Sequence, residues 1–335
     1  MSARQPLVVH PHLHPRRTGV TRHVEMVVPA LAAQRETRTL GRALEPGLPT
    51  IGWRELWRRA GQEPVIWHAH RNNELLWGLA LRLLGRRVQV VFTRHSARPG
   101  RFTRLLATAA DRVVALTAPM AQELRLPAEV VGHGIDLTRF VPPEDRAGAW
   151  AELAQGGAHG IGVIGRVRPA KGQGDFVAAL APLLPGHPQW RAVLVGAVKP
   201  PEQAWAEQLR AASSGAVTLL GERSDVERWY RGLSIVVQPS HTEGYSMALL
   251  EAMASGCCVV AARLPYSEDA IEHGRTGFLY PPGDVEALRA LLAPLLAQPA
   301  QALAVGAAAA AEARARFGVV HEARALTRVY DSLVR

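Results

Sequence analysis

The sequence predicts an α/β protein of two doubly wound domains facing a cleft. Three observations carry that expectation. The chain has 335 residues, enough for about two domains of ordinary size. Short β-branched runs alternate with amphipathic helical runs, the pattern of parallel sheets covered on both faces. The alternation pauses at Val141-Pro-Pro-Glu-Asp-Arg146 and restarts, as a linker between two such domains would make it. Domains of 1–143 and 144–319 follow, each with enough apolar residues for its own core, since 48% of the chain is hydrophobic.

In the first half, strands are expected at 7–10, 65–68, 88–93, 112–116 and 129–132. Helices are expected at 20–33, 74–84 and about 101–110, the first after a turn at Thr18-Gly19. In the second half, strands fall at 160–165, 190–196, 217–220, 233–239, 257–262 and 276–280. Helices fall at 174–184 and 204–212, after Pro281-Pro-Gly-Asp284, and over the Ala-rich stretch 300–316. There is no internal repeat and no disordered tract. No window of 18 apolar residues marks a membrane-spanning helix. The first ten residues lack the apolar run of a signal peptide, so a cytoplasmic protein is expected. Cys257 and Cys258 are adjacent in a predicted buried strand and point to opposite faces, so they read as core residues without a disulfide.

Charge divides the chain unevenly. Residues 1–150 hold 22 arginines against 12 carboxylates, a balance of +10, whereas residues 151–335 hold 17 charges of each sign. A one-sided basic field favours an anionic partner: nucleic acid, an acidic membrane surface or a charged acceptor. A general preference for arginine (37 Arg, two Lys) explains the choice of cation but not the asymmetry. No basic patch interleaved with aromatics and no recognition motif supports nucleic acid.

The segment Glu243-Gly-Tyr-Ser-Met-Ala-Leu-Leu-Glu251 carries the most chemistry. Glu243 lies in a Gly-containing turn after one strand, and Glu251 lies at the start of an apolar helical run before the next. In open α/β sheets such loops sit at the carboxyl ends of strands, where ligands bind. A helix N-terminus there offers N–H groups to an anion, and carboxylates accept from hydroxyls. A nucleotide sugar is both anionic and rich in hydroxyls. Gly165-Arg-Val-Arg-Pro-Ala-Lys-Gly172 follows the first strand of the second half, and Arg166 and Lys171 could clamp a diphosphate. A plain solvated basic loop is the other reading. It is not a Walker loop.

In the first half, Pro15-Arg-Arg-Thr-Gly-Val-Thr-Arg-His23 is a strand-to-helix loop. Gly19 would let a ligand approach the backbone, the helix N-terminus at Thr21 favours an anion, and Arg16, Arg17 and Arg22 add charge. A simple helix-start turn also accounts for Thr18-Gly19. His95 ends a predicted central strand, where it would contact a sugar hydroxyl or assist proton movement, or be a satisfied loop residue. His68, His70 and Arg71 follow another strand and are candidates for acceptor contact. His133-Gly134 lies near the expected linker. His10, His12 and His14 alternate as metal ligands on one strand face would, but Pro11 and Pro15 interrupt them and no carboxylate or cysteine accompanies them. No metal site is expected.

Taken in order, these motifs resemble those of the retaining GT-B glycosyltransferases of family 4. Glu243 to Gly256 matches its Glu-x7-Glu motif followed by Ala-Met-Ala-Ser-Gly. Gly165 to Gly172, His133-Gly-Ile-Asp136 and Gly274-Arg-Thr-Gly-Phe-Leu279 match three further segments. Within the family, residues 14–21, Trp67-His-Ala-His-Arg-Asn-Asn-Glu74 and Val91-Phe-Thr93 look like lipopolysaccharide core mannosyltransferases, which transfer mannose from GDP-mannose to a Kdo-containing lipid-linked acceptor.

The resemblance implies two Rossmann-like domains, with a final helix, 320–335, packing back on the first. It implies that Arg166 and Lys171 bind the donor diphosphate and stabilise the leaving group, and that Glu251 accepts from the ribose. Glu243 and the N–H groups of Gly244, Tyr245, Ser246 and Met247 would hold sugar and phosphate. Gly19 would lie under the diphosphate, and His95 would contact the donor sugar. The family often has Gly-Phe-Gly where this chain has Gly244-Tyr-Ser246, and Ser246 still offers its N–H. A front-face displacement is implied, in which the leaving phosphate takes the acceptor proton, with no metal and no cofactor. The acceptor would be an anionic lipid-linked saccharide touched by Arg16, Arg17, Arg22, His70 and Arg71, with the protein peripheral on the cytoplasmic face of the inner membrane. A UDP-sugar donor, a sugar-nucleotide epimerase and a non-catalytic peripheral membrane anion-binding protein are the competing readings.

Overall fold

The structure is a computed structural model and describes residues 5–15, 17–96 and 99–334. The chain forms two compact units, Met1–Ile135 with Phe317–Arg335, and Asp136–Arg316. The first unit is built on one parallel sheet of β1 (Leu7–His12), β2 (Thr37–Gly41), β3 (Val65–Ala69), β4 (Val88–Arg94), β5 (Arg112–Ala115) and β6 (Glu129–Val130). Their order is β2-β1-β3-β4-β5-β6. Between the strands run α1 (Gly19–Ala32), α2 (Trp53–Gln62), α3 (Asn72–Leu83), α4 (Arg101–Ala107) and α5 (Ala118–Leu124).

The second unit begins its regular structure with α6 (Arg146–Ala151). Its parallel sheet is β7 (His159–Ile164), β8 (Trp190–Val195), β9 (Val217–Gly221), β10 (Leu233–Gln238), β11 (Cys258–Ala262) and β12 (Phe278–Tyr280), in the order β12-β11-β10-β7-β8-β9. Helices α7 (Gln173–Leu180), α8 (Gln203–Ser213), α9 (Val226–Gly232), α10 (Met247–Ala254), α11 (Pro265–Ala270), α12 (Val285–Ala297) and α13 (Pro299–Arg316) complete it. The last helix, α14 (Val319–Asp331), belongs to the first unit.

Burial explains the strand sequences. All six residues of β10, Leu-Ser-Ile-Val-Val-Gln, are buried, as a central parallel strand covered on both faces requires. Ile161, Ile235, Val260, Phe176 and Leu292 meet in the second core. In the first unit, Val8, Ile66, Val91 and Val114 pack against Val24, Val28 and Leu31 of α1 and Leu326 of α14. Each sheet reverses its strand order once, between β1 and β3 and between β7 and β10. Doubly wound sheets bind ligands in the crevice at that reversal, outside the carboxyl ends of the strands.

The structure differs from the sequence expectation at several points. β1 runs on through Pro11 to His12. Pro11 lies beyond the residues paired with β3, so its missing N–H costs no bond to that neighbour. Helix α1 begins at Gly19 rather than at Thr21, because Thr18 is the N-cap and its N–H donates to Thr21 Oγ1 at 2.9 Å. The edge strand β2 and helix α2 were not anticipated. Their Thr-Arg-Thr-Leu-Gly and Arg-rich sequences conceal the period.

The units meet in the chain at Ile135 and Asp136, eight residues before the expected 143/144 boundary. Ile135 is bonded to Phe317 O and Val319 N within the first unit. Phe140 packs its ring 5.7 Å from Tyr230, and Arg139 pairs with Glu227 at 2.8 Å, within the second. β11 begins at Cys258 rather than Cys257, and both cysteines are buried free thiols. Among the described residues no single helix is long and apolar enough to cross a membrane.

Candidate active site

The loops after β7 and β10 meet in the second unit. After β7, residues Pro169–Lys171 form one turn of 3-10 helix that stops at Gly172. Gly172 has φ of +68°, and a Cβ there would lie 1.8 Å from Pro239 O, so only glycine lets this loop touch the end of β10. The His241 N–H donates to Ala170 O at 3.1 Å and ties the loops together. As a result Lys171 Nζ and Glu243 Oε2 form an ion pair, with each side chain less than one-fifth exposed. The two residues that the sequence assigned to phosphate and to sugar are thus in contact. Among the described residues the Arg166 guanidinium has no ion-pair partner. Its carbonyl accepts from Gln173 Nε2 at 3.0 Å.

Ser246 is the N-cap of α10 and its hydroxyl accepts from Leu249 N–H at 3.4 Å. Met247 is the first residue of the helix. Gly244 and Tyr245, both half-buried, precede the cap, and the Tyr245 ring lies 6.3 Å from buried Tyr266. Glu251 is not at the helix start as expected. It lies one turn in, half-buried, and Oε2 accepts from the Tyr230 hydroxyl at 3.1 Å.

The first unit gathers histidines where β1, β3 and β4 end. His95 sits just after β4, and both its ring nitrogens are engaged. Nε2 meets His70 Nδ1 at 3.0 Å and Nδ1 meets His133 Nε2 at 3.1 Å. The series continues on both sides. His133 Nδ1 is 3.3 Å from Glu322 Oε1, whose Oε2 accepts from Gly134 N–H at 2.7 Å. His70 Nε2 meets His10 Nδ1 at 2.9 Å. His10 Nε2 is 3.3 Å from the Tyr330 hydroxyl, which meets His68 Nδ1 at 2.6 Å, and His68 Nε2 ends on Thr93 Oγ1 at 2.6 Å.

With Glu322 in its ionised form, such a series assigns every proton. His133 donates from Nδ1 to Glu322, so its Nε2 must accept from His95. The rule repeats along the line, making every imidazole in it the neutral Nδ1–H form. Burial pushes the pKa values of His10 and His133 down to about 3 and those of His68, His70 and His95 well below the ordinary histidine range. His23 is also lowered to about 3 by burial, against the pull of Glu322 3.6 Å away.

His12 of the alternating triplet turns elsewhere. It donates from Nδ1 to Arg42 O at 2.7 Å and contacts Thr21 Oγ1 at 2.8 Å, while His14 lies past the strand. The groups spaced for an ion are instead His10/His68/His70, His23/His70/His95 and His23/His133/Glu322, each with its ligand atoms within 4.8 Å. Most of these nitrogens already bridge one imidazole to the next.

The basic residues divide. Arg17 is taken by Glu25 and Glu45, both at 2.7 Å. Arg71 is taken by Glu74 at 2.8 Å and Thr18 Oγ1 at 2.9 Å. His70 has spent both ring nitrogens, so it has none for an acceptor. Arg22 is exposed, and Arg16 lies outside the described residues. Gly19 has no positive φ, and a Cβ there meets nothing within 4 Å, so neither backbone nor packing requires glycine. Sequence reasoning missed an exposed aromatic and aliphatic patch on α2 and α3. The Trp53 and Trp77 rings lie tilted with centroids 5.4 Å apart, Arg86 covers Trp57 at 4.1 Å, and Leu76, Leu83 and Leu84 are exposed along and just after α3.

Comparison with known proteins matches both units to glycosyltransferases. Residues 158–298 match the family model described as "Glycosyl transferases group 1", and residues 33–139 match "Glycosyltransferase Family 4". The lipopolysaccharide core biosynthesis mannosyltransferase LpcC of Rhizobium leguminosarum bv. viciae is 37% identical, over 98% of this chain and 96% of that protein. The chain belongs to glycosyltransferase family 4. The lipopolysaccharide core biosynthesis mannosyltransferase LpsB of Rhizobium meliloti is 34% identical over 98% of each chain. The crystal structure of HepE of Anabaena in complex with UDP and glucose superposes with a TM-score of 0.83, covering 98% of this chain and 100% of that one, at 20% identity. The two parallel sheets with flanking helices are those of the GT-B fold. This family 4 member is therefore a glycosyltransferase enzyme, and its basic first half does not stand for a non-catalytic module.

Proposed function

We propose that this enzyme transfers mannose, with retention, from GDP-mannose to an anionic, Kdo-containing inner-core acceptor of lipopolysaccharide. The observation that carries the reading is the Lys171–Glu243 contact at the β7/β10 crevice, beside the first turn of α10. The residues of this crevice fit a nucleotide sugar. Arg166 and Lys171 face the diphosphate and take up the charge that builds on it as the sugar leaves. The first N–H groups of α10 add positive potential to the same phosphates. Glu243 then exchanges its Lys171 contact for sugar hydroxyls, and Glu251 accepts from the ribose beside Tyr230.

The leaving phosphate takes the acceptor proton, so no protein base is asked for and no metal is assigned. Both ring nitrogens of His95 are held, by His70 and His133, so it contacts the donor sugar only by exchanging one of those bonds for a sugar hydroxyl. Mannose as the sugar and the lipopolysaccharide core as acceptor follow the relatives that match over the whole chain.

The protein would work on the cytoplasmic face of the inner membrane. The Trp53, Trp57 and Trp77 patch with its neighbouring arginines has the composition of an interfacial contact with acidic lipid. A UDP-sugar donor is the second reading, with the loop at Glu222-Arg-Ser224 the candidate base contact. Calorimetric titration with GDP against UDP separates the two. Tighter binding of GDP is expected, and tighter binding of UDP contradicts GDP-mannose as donor.

A further inference from the structure

The end of β4 holds a buried guanidinium that is only partly bonded, with Arg94 Nε donating to Ser96 O at 2.5 Å. Arg94 is the last residue of that strand and is 2% exposed. Both terminal nitrogens of its guanidinium are buried without a hydrogen-bond partner among the described residues. A buried, unpaired cation is among the least favourable arrangements in a protein, and it persists where something else supplies the anion. Burial, with Arg104 nearby, lowers its pKa to about 10, which leaves it charged at neutral pH.

Arg94 lines a pocket of about 270 Å³ together with Arg71, Asn72, Thr103, His70 and His95. The second observation is independent. Asn72 opens the twelve-residue helix α3, and its N-cap, Arg71, makes no capping side-chain bond. Arg71 and Asn72 place the start of α3, with its partial positive charge, at the pocket wall. The nearby acids are already engaged. Glu74 accepts from Arg71, from His70 N–H and from Leu13 N–H, and Glu123 lies 3.9 Å from Arg104. His70 and His95 bring no charge. Asn72, which donates to Thr103 Oγ1 at 2.9 Å, leaves polar edges for hydroxyls.

We propose that this pocket binds the carboxylate of an acidic sugar in the acceptor, with the Arg94 fork pairing both carboxylate oxygens and the first turn of α3 facing the same anion. A planar fork fits a planar carboxylate. Arg71 is already neutralised by Glu74, so among the described residues lining the pocket one free cation matches one negative charge, whereas a phosphate monoester carries about −1.5 to −2. The volume lies below the roughly 300–1,000 Å³ of drug-sized sites, which suits a single sugar unit. The inference rests on the reading of an anionic acceptor, and its test requires no donor.

The test titrates the full chain with the free sugar acid Kdo, with its methyl ester and with inorganic phosphate, read by ligand-observed NMR. Saturable binding of Kdo is expected, weakened roughly tenfold or more by esterification and by Arg94→Met. GDP binding of the variant should stay at the wild-type value, and its thermal unfolding temperature should equal or exceed that of wild type, because a buried unpaired charge is removed. Arg94→Lys keeps the charge, loses the fork and is expected to bind less tightly than wild type. Should Arg94→Met fail to fold, the acid and its ester on the wild-type protein still decide. Equal binding of acid and ester overturns the proposal, as does phosphate binding as tightly as Kdo and displacing it. If the pocket fails while transfer from GDP-mannose succeeds, the acceptor acid is held elsewhere and the enzyme reading stands. If Kdo binds but no mannose moves, the reverse holds.

Discussion

At the carboxyl ends of β1, β3 and β4, the first unit collects imidazoles that bond to one another and to a single buried carboxylate. At the ends of β7 and β10, the second unit collects Lys171, Glu243 and a helix N-terminus. The two sheets reverse their strand order in the same way, and each presents a crevice at the reversal. In the first crevice burial holds the imidazoles neutral, their protons ordered along the line that ends at Glu322. The second keeps opposite charges in contact and less than one-fifth exposed. The contrast separates the tasks a transferase sets. Stabilising a leaving diphosphate asks for charge, whereas holding a neutral sugar and an acceptor asks for fixed, uncharged polar edges with a cation such as Arg94 placed where an acid docks.

The comparison breaks most directly at the charged crevice. Lys171→Ala and Glu251→Ala are each expected to lower transfer by about 10²–10³ in kcat, with the circular dichroism spectrum unchanged. Full activity in both would remove the assigned site. In the neutral crevice the expected loss is of stability. Glu322→Leu strands His133 and the Gly134 N–H and should cost about 2–3 kcal/mol, read by denaturant unfolding.

Acid sharpens the contrast next. The folded-state pKa values of His10, His23 and His133 lie near 3, below the unfolded value. Their stabilisation is complete above the unfolded histidine range and is lost as pH falls from about 6.5 toward 3. Burial raises Glu322, which opposes the trend above the carboxylate range. Chemical denaturation from pH 7 to 4 should show stability falling, and a flat profile would contradict the neutral network. Replacing Trp53 and Trp77 by Ser should reduce co-sedimentation with anionic vesicles by about tenfold without altering GDP binding. Gly19→Ala should be mildest, with thermal unfolding unchanged and the donor KM raised a few-fold, because nothing within its unit requires glycine there.

The charged crevice was legible in the sequence because its residues lie on two short loops. Residues 165–172 and 243–251 each follow an apolar strand, and Lys171 is conspicuous as one of two lysines. The histidine network was not legible, because positions 10, 68, 70, 95, 133, 322 and 330 come together only through the sheet and α14. The visible signal, alternation at 10, 12 and 14, pointed to a different trio. Arg94 stands next to His95, yet one arginine among 37 carries no signal of its own. Its burial and missing partner are facts of the fold. The same holds for Arg17 and Arg71, which look like free cations until their carboxylate partners are seen.

The central claim is tested by incubating the enzyme with GDP-mannose and a Kdo–lipid A acceptor and weighing the acceptor by mass spectrometry. A gain of one hexose that requires both Lys171 and Glu251 is the expected result. An acceptor of unchanged mass with GDP-mannose, alongside hexose transfer from a UDP-sugar, would contradict it.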